Sequence, residues 1–145
     1  MRAKLIHEIG GERTFVAVFE TGDEAFSLLS EFVKTERVSG AHLTGIGALS
    51  AATLGFFDLE KKTYRRIAVA EQVEVVSLVG NVALDGGQPK VHAHMIVARS
   101  DGSAMGGHLL DAHVRPTLEV VIVESPTHLR RTLDQRTGLA LLDID

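Results

Sequence analysis

Cysteine is missing from this chain altogether. That excludes a disulfide framework, a thiolate nucleophile and any cysteine-ligated zinc or iron–sulfur cluster. A metal site must then be built from histidines and carboxylates. No apolar run approaches the ~20 residues that a membrane-spanning helix needs, and Met1–Gly10 lacks the apolar segment of a signal peptide. Positive charge is not in excess: fifteen Lys and Arg face nineteen Asp and Glu, a formal net charge of −4. Such a balance creates no global field for nucleic acid or an anionic membrane and leaves room only for a local basic patch. Internal repeats, charge blocks and low-complexity stretches are also lacking, and the three prolines are scattered. What remains is 145 residues, 45% hydrophobic and 23% charged, the make-up of one soluble globular domain with enough apolar matter for a core. Residues 1–145 read as a single domain of a cytoplasmic protein.

The glycines are clustered, at 40–55, 80–87 and 102–107, where they mark turns and close approaches between strands. Glu12–Glu20 is β-branched and aromatic enough for a strand. Thr21-Gly-Asp-Glu24 then has the spacing of a capping box. Ala25, Phe26, Leu28, Leu29, Phe32 and Val33 recur at helical spacing opposite Glu24, Ser27, Glu31 and Lys34, which predicts an amphipathic helix over 23–36. Strands are expected at 42–46 and 51–57, broken by Gly45-Ile-Gly47, then at 61–70, 73–84, 89–98, 104–114 and 118–124. A short helix is expected around His128–Leu133. One long helix, short flanking ones and many strands with short connections indicate an α+β fold with a central, mainly antiparallel sheet. A Rossmann-like arrangement is disfavoured, because parallel crossovers of a dozen residues or more are mostly missing.

Three of the seven histidines fall in one suspected hairpin: Val91-His-Ala-His-Met95, a turn about Asp101-Gly102, and Gly106-Gly-His108. Alternate strand residues share a face, so His92 and His94 point the same way. With Ser100, Asp101 and Gly102 as the loop, paired residue numbers sum to 202 and His94 lies opposite His108, with Cβ atoms ~5 Å apart. Three imidazoles on one patch of sheet form a catalytic-type zinc site, with a fourth position left for water or substrate. Gly106 and Gly107 leave space beside it. A one-residue slip in this hairpin would turn His108 to the other face. The bland alternative is a set of half-exposed sheet histidines bonded to backbone or water.

Other candidates stand apart from this set. Glu119 and Glu74, in apolar strands, are candidate proton carriers or acceptors for an imidazole N–H, or else solvent-facing carboxylates. Arg115 is a candidate anion binder, or else a partner for Asp111. His113 falls on the opposite face from His108, and His7, His42 and His128 are isolated. Gly45-Ile-Gly47 lacks both the third glycine and the following helix of a dinucleotide fingerprint. Lys61-Lys62, Arg65-Arg66 and Arg130-Arg131 are short basic pairs set among acids. They read as solvated turns and edge-strand protection rather than a groove-binding surface.

Several segments together resemble the PPC (plants and prokaryotes conserved) domain. They are Gly45-Ile-Gly-Ala-Leu-Ser50, Leu54-Gly-Phe-Phe-Asp58, Glu74-Val-Val-Ser-Leu-Val-Gly-Asn81, His92-Ala-His94, Asp101-Gly102, Gly106-Gly-His-Leu109 and Pro116-Thr-Leu-Glu-Val120. The likeness runs from about Arg13 to the end. It implies an α+β fold assembled as a homotrimer, with zinc held by the residues at His92, His94 and His108. Plant relatives grip DNA through attached AT-hooks, and this sequence has no Arg-Gly-Arg-Pro core. Acetolactate decarboxylase is a remote relative of the same fold group, with a similar three-histidine zinc arrangement. The expectation is a trimeric zinc protein that binds or processes a small anionic ligand. The alternative is a DNA-associated or regulatory module, or a plain assembly domain, in which any metal is structural; nickel, cobalt or iron would suit the same ligands.

Overall fold

The computed structural model describes residues 1–144. Along the chain run β1 (Arg2–Ile9), β2 (Glu12–Glu20), α1 (Ala25–Thr35), β3 (Gly40–Asp58), β4 (Thr63–Val69), β5 (Val73–Asp85), β6 (Gln88–Ala98), β7 (Ala104–Glu124), β8 (Arg130–Asp134) and β9 (Leu139–Asp143). The α+β expectation is corrected by this inventory. The protein is mostly β-sheet, with one helix of eleven residues among the described elements.

Local chemistry accounts for the shorter helix. Glu24 is itself the N-cap: its carboxylate accepts from the backbone N–H of Phe26 at 3.1 Å and of Ser27 at 2.8 Å. A third bond, from Ala112 N–H at 2.8 Å, pins the helix start to β7. The Thr21 capping box is therefore not used, and the helix begins at Ala25, two residues later than the pattern suggests. Its buried face is Ala25, Leu29 and Val33, packed on β6 and β7. The helix expected around His128–Leu133 and the other flanking helices do not form. Residues 130–134 pair instead with β9 as an antiparallel hairpin closed at Gly138, whose φ of 75° suits glycine. β1, which the hydropathy pattern does not reveal, is exposed along its whole length and adds to the edge of β2.

Two long strands hold the sheet together. β3 runs through the Gly45-Ile-Gly47 stretch with a register shift rather than a break. A Cβ at Gly47 would lie 2.3 Å from the Thr117 carbonyl oxygen, so the absent side chain lets β3 and β7 meet there. Hydrogen-bonded ladders link β3 to β5, β5 to β6, β6 to β7 and β7 back to β3. These ladders are antiparallel and close into a ring, so no free edge is left around it. Inside it lie alternate residues such as Leu43, Leu78, Val91, Ala93, Met95 and Leu109, all buried. The outward residues of β6 are His92, His94 and Ile96. No described helix is long and apolar enough to cross a membrane.

Candidate metal centre

The β6–β7 hairpin has the register that the sequence predicts. Ala98 pairs with Ala104, Ile96 with Gly106 and His94 with His108. The turn explains why no slip occurs. Gly102 adopts φ 81° and donates to the Arg99 carbonyl at 2.9 Å, while Asp101 Oδ1 accepts from Ser103 N–H at 2.8 Å. An Asx bond and a left-handed glycine fix the loop length, and the loop length fixes the pairing.

His92, His94 and His108 consequently converge. One ring nitrogen from each lies within 4.8 Å of the others. Ring centroids are 5.2 Å apart for His92–His94, 5.0 Å for His92–His108 and 5.3 Å for His94–His108. A tetrahedral ion with bonds of 2.0–2.1 Å separates its ligands by about 3.3 Å. Modest side-chain rotations would therefore close the set. His108 Nδ1 is shielded from solvent and has no hydrogen-bond partner among the described residues. A buried polar atom left in that state is costly unless something occupies its lone pair. Burial, followed by the neighbouring His92 and His94, pushes the His108 imidazole down to about 4. Burial lowers His92 as well, followed by Arg131, His94 and Lys90. Both rings are thus neutral at neutral pH, the protonation state that a metal requires. A three-imidazole donor set with an unpartnered nitrogen fits a divalent transition metal.

Tyr64 on β4 covers the group from one side. Its ring stacks on His108 at 4.6 Å and meets Phe57 edge-on at 5.1 Å. Gly55 pairs with His108 on β3, and a Cβ there would sit 2.7 Å from the Tyr64 ring. The glycine is what lets the tyrosine cross β3 to reach the histidine. Next to His92 and His108 opens a cleft of about 430 Å³, bounded by Tyr64, Asn81, Lys90 and Arg131 and by leucines of β9.

A profile of the Plants and Prokaryotes Conserved (PCC) domain matches residues 7–126. The chain belongs to that family. A metal-containing protein from Archaeoglobus fulgidus is 32% identical, with a TM-score of 0.83 over 99% of this chain and 100% of the other. A candidate DNA-binding protein from Bacteroides thetaiotaomicron is 31% identical, with a TM-score of 0.85 and 94% of each chain covered. The bifunctional protein GlmU of Synechococcus sp. (strain JA-3-3Ab) is 30% identical over 139 residues; the match takes in 94% of this chain and spans 21% of that protein's length. Acetolactate decarboxylase from Bacillus subtilis shares the fold at a TM-score of 0.57 and 14% identity, over 89% of this chain and 60% of that one.

The remaining sequence candidates fall elsewhere on the PCC domain. Glu74 and Glu119 come together around a separate depression with Ile46, Gly47 and Val76, away from the three histidines. Arg115 is exposed on β7, seven residues and about 20 Å of strand beyond His108. Asp111 pairs with Arg66 at 3.2 Å. Gly106 and Gly107 serve strand packing rather than the cleft. Added Cβ atoms would meet the Met95 carbonyl at 3.0 Å and the Gly55 carbonyl at 2.8 Å. Tyr64, Asn81 and Arg131 border the site and went unrecognised in the sequence. Alternation along Arg130-Arg131 was the available signal, because one of two neighbours in a strand must face inward.

Proposed function

We propose that this PCC-domain chain is a zinc protein whose centre is His92, His94 and His108, with a fourth coordination position facing a small anionic ligand. The observation that carries this is the unpartnered buried Nδ1 of His108 among three converging imidazoles. The metal-containing neighbour from Archaeoglobus fulgidus supports it. His92 and His94 supply two donors from one strand face, His108 supplies the third, and Tyr64 keeps bulk water from the His108 ring. When bound, the ion would supply Lewis acidity to an oxygen at the open position. Three neutral ligands leave the full charge of the ion unbalanced, which favours an anion there. No proton-transfer role at this centre is proposed for Glu74 or Glu119. Protein purified without chelator should carry close to one divalent ion per chain by elemental analysis, and His94→Ala should lose most of it. Stoichiometric metal in a triple His92/His94/His108 alanine variant would refute the assignment.

The assembly proposed for the chain is a homotrimer. The outer face of the sheet leaves Ile46, Val76, Val79 and Ile96 about half exposed or more, with Val121 beside them. An apolar patch of this kind is normally covered by a partner, and closed rotational symmetry covers it without open-ended growth. A DNA-associated role is the second reading, supported by the description of the Bacteroides thetaiotaomicron neighbour. Net charge of −4 weighs against it.

A further inference from the structure

We infer that Arg131 is a carboxylate anchor, and that the cleft beside the histidines takes a small carboxylate with an aliphatic body. Two bonds hold the guanidinium at the wall of the cleft. Nη2 donates to Asn81 Oδ1, and Nη1 donates to the Ala140 carbonyl at 3.2 Å. Nε–H is shielded from solvent and has no hydrogen-bond partner among the described residues. A buried donor on a charged group is expensive to leave unmade. A carboxylate fits the planar edge of an arginine in a way that a point charge does not.

The position of Arg131 gives this edge its meaning. Asn81 is the cross-strand partner of His92, so the residue that braces Arg131 sits directly beside a proposed metal ligand. The same cleft is bounded by His92 and His108, by Arg131, and by Val91, Leu139 and Leu142. A volume of about 430 Å³ lies within the range of small-molecule sites. A ligand tied to Arg131 lays its hydrocarbon against the leucines and turns its other end to the histidines. Lys90 at the rim is already engaged by Asp85 at 2.6 Å, which leaves Arg131 as the anchor. The apolar lining selects a carboxylate with an aliphatic body over inorganic phosphate, whose charge would be desolvated against leucine. Only the fate of the far end rests on the metal reading; the anchor does not.

The probe is isovalerate, titrated into full-length ¹⁵N-labelled protein with and without zinc and followed at the Arg131 Nε–H resonance. Acetate, isoamyl alcohol and inorganic phosphate serve as controls. Isovalerate should shift that resonance saturably and bind more tightly than any control. By calorimetry, Arg131→Met should weaken it at least tenfold with zinc content unchanged, and Arg131→Lys should not restore full affinity. An unmoved resonance, phosphate binding tighter than isovalerate, or wild-type affinity in Arg131→Met would each overturn the anchor. Wild-type protein that takes up no zinc overturns the metal reading instead, and the resonance in that protein still decides Arg131. If Arg131→Met fails to fold, the wild-type titration decides alone.

Discussion

His108 gathers most of the local constraints in one place. Tyr64 stacks on it, Gly55 clears the path for that ring, and His94 faces it across the hairpin. Gly80 does a comparable service on β5. A Cβ there would lie 2.4 Å from the His92 carbonyl oxygen and 2.9 Å from the Ala93 Cα. Both contacts are with backbone, so neither can swing away. Gly80→Ala should therefore push β5 from β6 and cost about 1–3 kcal/mol in denaturant unfolding, with a measurable drop in metal content because His92 moves with its strand. Unchanged stability and unchanged metal would show that the two strands are less tightly apposed than the structure has them.

Glu24 does for the helix what the hairpin turn does for the histidines. Burial raises its carboxyl, but hydrogen bonds from Ser27, Ala112 and Phe26 outweigh that and hold it below its ordinary value of 4.5. A depressed folded value means that the unfolded chain takes up the proton first. The stabilisation is present above about pH 4.5 and is lost as pH falls through the folded value. Glu24→Ala should cost about 1–2 kcal/mol at pH 7, and its deficit against wild type should shrink on acidification below 4.5. A deficit independent of pH would mean that packing, not the charged cap, is what was removed. Legibility in the sequence also divides by element. The hairpin and its histidines could be read because a left-handed glycine and an alternating strand are local signals. Thr21 mimics a cap and so suggests more helix than forms, and the strand at residues 130–134 is decided by its pairing with β9. Arg131 was hidden for the same reason, since its surroundings come from Asn81 on β5 and from Ala140 on β9.

A closed ring of strands carries an outer face on which Ile46, Val76, Val79 and Ile96 stand exposed. Light scattering should report a mass near three times 15.6 kDa and little change on chelation, since the proposed interface is hydrophobic. A monodisperse monomer at micromolar concentration would contradict the trimer. At a net charge of −4, duplex DNA should bind weakly at physiological salt. Sub-micromolar affinity with a steep negative salt slope would reveal phosphate contacts and favour the second reading. Everything proposed for the site turns on whether His92, His94 and His108 hold a metal ion. Anomalous diffraction at the zinc edge, on crystals of zinc-loaded protein, tests it directly. One peak per chain is expected within bonding distance of ring nitrogens of His92, His94 and His108. Peaks only elsewhere, or no peak at that position, would contradict it.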